Sequence, residues 1–132
     1  MISSIFVNLP VENLKRSVEF FTGLGFTFNP QFTDDESTCM VVTDSIYVML
    51  LEHPKFESFI DKPIASRESS EAILSFGVES ADEVRQLAMR AFELGGRKVK
   101  DPIDYGFMFG WGFEDLDGHL WELFWMNPEA VD

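Results

Sequence analysis

Hydrophobic and polar positions alternate from Ser3 to Leu9, with Ile5, Val7 and Leu9 on one side and Ser4, Phe6 and Asn8 on the other. A period of two is that of a strand with two distinct faces. Pro10, which has no N–H to give a ladder, ends it. The period then changes: Leu14, Val18 and Phe21 are spaced by four and three, the stripe of an amphipathic helix that Asn13 caps and Gly23 and Gly25 close. A short apolar run, Phe26 to Phe28, precedes two β-like stretches, Thr38 to Thr43 and Ile46 to Leu51, separated by the turn residues Asp44 and Ser45. Residues 3–52 therefore read β-α-β-β-β.

Between His53 and Glu71 the period is lost and Pro54, Pro63, Ser66, Ser69 and Ser70 accumulate, so residues 53–71 are expected to connect two units, with a short helix around Phe56 to Ile60. Ile73 to Val78 is again a strand. Ser80-Ala81-Asp82-Glu83 has the spacing of a capping box, and Val84, Leu87, Ala88, Ala91 and Leu94 make the apolar stripe of the helix it opens, stopped by Gly95-Gly96. Three strands should follow: Lys98 to Lys100, Phe107 to Phe113 with Phe107, Phe109, Trp111 and Phe113 on one face, and His119 to Met126, entered through Asp117-Gly118. Residues 72–127 repeat the order of 3–52.

The repeat can be registered within the chain. Val11-Glu12-Asn13 slid onto Val78-Glu79-Ser80 superimposes strand on strand and cap on cap, placing Phe6 over Ile73 and Asn8 over Ser75. One such unit cannot cover both faces of its own sheet. The expected fold is α+β: two tandem βαβββ units in a curved mixed sheet, helices outside, with a concave cleft, all within a single domain spanning 1–132.

Composition narrows the function. The 132 residues are 45% hydrophobic and include 14 Phe, enough for a packed core. Lys and Arg total 10 against 23 Asp and Glu, a formal charge of −13 that repels phosphate backbones and anionic lipid, so neither a nucleic-acid nor a membrane partner is expected. Cys39 is the single cysteine, and with two His the chain lacks the clusters of structural zinc. No apolar run is long enough for a membrane span and no export signal is evident; a cytoplasmic location is expected.

Three stretches carry a family resemblance: Val11-Glu12-Asn13-Leu14-Lys15-Arg16-Ser17-Val18-Glu19-Phe20-Phe21 with Leu24-Gly25-Phe26; Gly95-Gly96 after the second helix; and Asp115-Leu116-Asp117-Gly118-His119-Leu120-Trp121-Glu122-Leu123. Together they resemble the vicinal oxygen chelate superfamily of glyoxalase I, extradiol dioxygenases, fosfomycin-resistance enzymes and bleomycin-resistance proteins. In metal-dependent members the resemblance implies four inward positions, on the first and last strand of each unit, that bear His, Glu or Gln around a divalent ion. Here they fall on Phe6, Met49, Ile73 and Glu122. Three are apolar, which departs from the catalytic pattern. The resemblance also implies a homodimer, because relatives of this size commonly build each cleft from both chains.

Alternation puts Glu122 on the face of Leu120 and Phe124, opposite Trp121, Leu123 and Trp125. An inward carboxylate needs a partner, a ligand or a cation, which makes Glu122 a candidate acid/base as well as a binding group. Asn8, Tyr47, Ser75, Met108 and Gly110 are the other inward positions, so Phe6, Asn8, Tyr47, Met49, Ile73, Ser75, Met108 and Glu122 form the expected ligand-binding set. His119 lies three residues from Glu122, on the opposite face of a strand, and reads as structural; Cys39 reads as packing. The expected function is binding of a small, cationic or aromatic, molecule in an apolar cleft, without a cofactor. The alternative is a glyoxalase I-like lyase or isomerase, or a dioxygenase, holding one Zn, Ni, Fe or Mn ion on shifted ligands: Glu122, His53 (which shares the facing of Met49 and Leu51 if its strand continues) and Glu52.

Overall fold

The structure, a computed structural model, describes residues 1–129; the last three residues of the expected domain lie outside the described residues. The chain divides into two compact units, Met1–Ile64 and a second from Ala65 onward. Each has its own mixed sheet.

The first unit runs β1 (Ile5–Val11), α1 (Leu14–Gly23), β2 (Thr27–Asn29), a 3₁₀ turn at Pro30–Phe32, β3 (Ser37–Val41), β4 (Ile46–Glu52) and α2 (His53–Glu57). Its strand order is β1-β4-β3-β2, with β1 and β4 parallel and the remaining pairs antiparallel. Alternation sends Met40, Val48, Leu50, Leu9 and Val11 to one face, all of them buried, and α1 contributes the buried Leu14, Ser17, Phe20 and Phe21. Phe21 meets Phe20 and Phe26 edge-on, an arrangement that suits the ring quadrupoles. The α1 amino end is held twice. The Asn13 side chain accepts from Arg16 N at 3.0 Å, and Glu52 Oε2 accepts from Leu14 N at 2.9 Å, joining the end of β4 to the helix start.

The second unit runs β5 (Ile73–Gly77), α3 (Ala81–Glu93), β6 (Arg97–Lys98), β7 (Ile103–Asp104), β8 (Met108–Glu114) and β9 (Leu120–Met126). Its order is β5-β9-β8-β6, with β7 also paired to β8. Phe109, Phe113, Trp121 and Leu123 form the buried face, against which α3 packs with its buried Val84, Ala88 and Ala91. The small alanines admit large rings: Phe113 and Trp121 lie parallel at 6.5 Å, and Arg85 stands over the Phe109 ring at 4.4 Å. The cap of α3 follows the expected pattern with one change. Ser80 Oγ accepts from Glu83 N, while Glu83 Oε1 reaches Glu79 N, one residue before the cap.

The two units share a construction. Phe6 opposes Tyr47 as Ile73 opposes Leu120, and Asn8 opposes Met49 as Ser75 opposes Glu122. Both long helices end alike, with Gly25 at φ 102° and Gly95 at φ 105°, and with Phe26 N reaching back to Phe21 O as Gly96 N does to Ala91 O. That closure needs a left-handed residue, which glycine adopts without steric cost. Differences from expectation are local. The short helix begins at His53, three residues early; β6 starts and ends before Lys100; the two-residue β7 is additional; and Phe107 lies just outside β8. No helix among the described residues is long and apolar enough to cross a membrane.

The β8–β9 turn is built on Asp115, which is 3% exposed. Its Oδ1 accepts from Asp117 N and His119 N, and its Oδ2 from Trp121 Nε1 at 2.9 Å. Arg67 donates to Leu116 O at 2.8 Å from outside the turn. Desolvation raises the Asp115 pKa above the ordinary 3.8, against the pull of His119 and these hydrogen bonds. The folded state therefore binds this proton more tightly than the unfolded state, and the contribution of Asp115 to stability falls as pH rises from about 4 to its raised value. Asparagine at this site would turn an amide donor toward the indole N–H or strand one backbone donor. Asp115→Asn is expected to be less stable by about 1–3 kcal/mol at pH 7, with a margin below wild type that shrinks as pH rises through that window. Urea unfolding of both proteins from pH 3.5 to 7 measures it, and a margin that widens with pH contradicts the sign.

Candidate functional site

The face of the second sheet turned away from α3 carries Ile73 and Ser75 from β5, Leu120, Glu122 and Phe124 from β9, and Met108, Gly110 and Gly112 from β8. Neighbouring strands put Ser75, Glu122 and Gly112 in one row and Gly77, Phe124 and Gly110 in the next. Missing side chains hollow this face. A cleft of about 300 Å³ opens over it, confined to the second unit. Ile73, Met108, Leu120, Gly110 and Gly112 form its sheet side, with Glu122 among them, and the segment from Val99 through Ile103 to Tyr105 forms the other wall. That wall is tied down by the Ile103–Gly110 pairing of β7 and by the bond from Trp111 Nε1 to Lys100 O at 2.9 Å.

Glu122 is half-buried, and its Oε1 accepts from Ser75 Oγ at 2.5 Å. No donor among the described residues reaches Oε2, which lies 3.8 Å from where a Cβ on Gly110 would stand. A carboxylate has lone pairs for several donors, so this oxygen retains capacity for a donor brought by a ligand. The surrounding lining is mostly apolar, which strengthens any such bond by excluding water.

Not all the expected residues meet. Ile73 and Met108 line the cleft with Glu122, and Ser75 stands beside it as a hydrogen-bond donor to the acid. Phe6, Asn8, Tyr47 and Met49 gather on the corresponding face of the first unit. There Phe6, 47% exposed, stacks on Tyr47 at 4.5 Å, the Tyr47 hydroxyl donates to Asp44 O, and Asn8 Nδ2 donates to Phe6 O. His53 does not continue the facing of Met49 and Leu51, because β4 stops at Glu52 and His53 starts α2, exposed. Glu52 is occupied in capping α1. His119 sits in the turn with Nδ1 3.8 Å from Glu71 Oε1, and Cys39 is fully buried, its thiol pKa raised by desolvation. The wall from Val99 to Tyr105 was not expected. Its one signal is Ile103 and Tyr105 alternating with Asp104 after Pro102, too brief to register as a period.

Comparison with known proteins now bears on this geometry. Residues 3–43 match the model of a family described as bleomycin resistance protein-like N-terminal. The structure of hypothetical protein SA1046 from S. aureus is 32% identical over 94% of both chains, with a TM-score of 0.79. A glyoxalase-related enzyme from Fulvimarina pelagi superposes with a TM-score of 0.81 at 20% identity, covering 95% of this chain and 88% of its own. The fold is that of the glyoxalase/bleomycin resistance/dioxygenase proteins, and the bleomycin resistance protein-like match over residues 3–43 agrees with it. The fold likeness extends to the fosfomycin resistance protein FosX from Mesorhizobium loti, with a TM-score of 0.69 and 18% identity over 98% and 97% of the two chains. Among curated proteins no sequence matches the chain.

The metal positions that the resemblance implies can be compared with donor chemistry. The side chains of Phe6, Ile73 and Met49 bring no nitrogen or oxygen, and among the described residues the Ser75 hydroxyl is the hydrogen-bond partner of the Glu122 side chain. Among the described residues no three His, Cys, Asp or Glu side chains gather as metal ligands. These residues do not fit a divalent ion, which needs at least three such donors to compete with water.

Two glycines of the cleft can be separated by substitution. A Cβ on Gly110 would meet nothing closer than Leu123 O at 3.6 Å, whereas one on Gly112 would fall 2.9 Å from Trp121 O. Gly110→Ala should fold with stability within about 1 kcal/mol of wild type, because alanine is no worse than glycine in a strand. Gly112→Ala should lose about 1–3 kcal/mol through the forced shift between β8 and β9. Denaturant midpoints measure the pair, and equal losses would show that strand spacing is not set by Gly112.

Proposed function

We propose that this protein binds a small apolar molecule bearing a cationic or other N–H donor group, seated in the Glu122 cleft of the second unit, without a divalent metal. The observation that carries the reading is Glu122 Oε2: an oxygen of a half-buried carboxylate beside the cleft with no donor among the described residues. Ile73, Ile103, Met108 and Leu120 supply contact area for an apolar body, and about 300 Å³ is at the lower end of the roughly 300–1,000 Å³ typical of small-molecule sites. A net charge of −13 draws cations toward the protein. Ser75 serves as a positioning residue here. By occupying Oε1 it fixes the carboxylate plane and leaves Oε2 for the ligand.

Calorimetric titration with 4-methylbenzylamine tests the reading. Binding is expected for wild type, weakened about tenfold or more by Glu122→Gln, which keeps an acceptor for Ser75 but removes the charge. Metal content should be measured on the same protein purified without chelators. Stoichiometric zinc, nickel, iron or manganese that disappears in Glu122→Ala would replace this reading with that of a metalloenzyme on shifted ligands.

A further inference from the structure

The cleft contains a second unpaired charge. Lys100 lines it together with Glu122, yet no ion pair joins them among the described residues. The acid adjacent to Lys100 in sequence is already taken: Asp101 Oδ1 lies 2.7 Å from Lys98 Nζ, and Lys98 holds the Asp101 pKa below its ordinary value. Lys98 also stands over the Trp111 ring at 5.9 Å. Its neighbour two residues on has neither an acid nor a ring. On α3, Arg85 and Arg90 likewise have carboxylate partners, Asp82 and Glu93. Lys100, which is exposed, thus has no carboxylate partner among the described residues, in a chain with more than twice as many acids as bases.

Lys100 belongs to the wall between β6 and β7, whereas Glu122 belongs to the sheet side on β9. Apolar side chains line the same cleft: Ile103 from β7, Met108 from β8 and Leu120 from β9. Opposite charges on two residues that line one apolar hollow, unpaired with each other among the described residues, are matched by a ligand that carries both complementary charges with an apolar body between them. We infer that the ligand of the Glu122 cleft is amphoteric, with an ammonium or similar donor at Glu122 Oε2 and a carboxylate or similar anionic group at Lys100. This rests on the proposed reading of the cleft as a binding site and adds the identity of the second ligand group. It also explains selectivity in a protein of this charge. The −13 field favours any cation alike, so a contact with Lys100 is what distinguishes an amphoteric molecule from a simple amine.

The test uses three probes with one ring: 4-(aminomethyl)benzoate, 4-methylbenzylamine and 4-methylbenzoate, titrated calorimetrically at pH 7 into the full chain, Lys100→Gln and Glu122→Gln. In wild type the amphoteric probe should bind about two- to fivefold more tightly than the amine, the range open to a partly exposed ion pair. Lys100→Gln should erase that margin by weakening the amphoteric probe, while the amine binds no more weakly than to wild type, since loss of a cation relieves its repulsion. Glu122→Gln should weaken the amphoteric probe and the amine together. Equal affinity of the amphoteric probe and the amine for wild type, or a margin that survives Lys100→Gln, overturns the amphoteric assignment and leaves donor binding at Glu122 standing. Failure of all three probes to bind overturns both.

Discussion

The position of every group in the cleft depends on the buried carboxylate of Asp115. By taking two backbone donors and the Trp121 indole at once, it fixes the turn between β8 and β9 and thereby the register of the two longest strands in the second sheet. Side chains alternate with a period of two along a strand, so a slip of one residue would send Glu122 into the space of α3 and bring Trp121 to the open face. The electrostatic cost of burying Asp115 is offset only in part by those bonds, and the benefit appears farther along β9, at Glu122. The acid in the turn is structural and the acid in the strand is available to a ligand. Their environments separate the two roles: one is enclosed and fully engaged, the other half-open and engaged through one oxygen.

Much of this was legible in the letters. Alternation in Leu120–Met126 gave the side of Glu122 correctly, because Trp121 and Leu123 are needed against α3 and leave the intervening residues no other direction. The repeat was legible for a similar reason. Asn13 and Ser80 mark equivalent helix starts, and Gly25 and Gly95 equivalent stops, each demanded by backbone geometry rather than by packing. The equivalence extends to cross-strand mates, Asn8 with Met49 and Ser75 with Glu122, which strand alternation alone does not supply.

What escaped the sequence reading is equally specific. The wall from Val99 to Tyr105 holds a two-residue strand whose place is set by pairing with Gly110 and by the Trp111 indole on Lys100, both contacts made with a later strand. Tertiary partners of this kind leave no period. Whether His53 keeps the facing of Met49 and Leu51 depends on where β4 stops, of which the apolar run into Leu51 gives no sign; the proline after it, tolerated in the first turn of a helix, fits the start of α2. Glu52 looked like a possible ligand because its use as a cap on a helix forty residues earlier in the chain is a long-range contact.

The duplicated skeleton has a further consequence. Asn8 and Met49 face each other in the first unit at the register that Ser75 and Glu122 occupy in the second, so the chain already contains a hydrogen-bonding amide across from a long flexible side chain at the mirrored location. The two halves thus differ at this spot by a thioether in place of a carboxylate, on backbones paired in the same register, so Met49→Glu would set a second acid across from a hydrogen-bonding side chain.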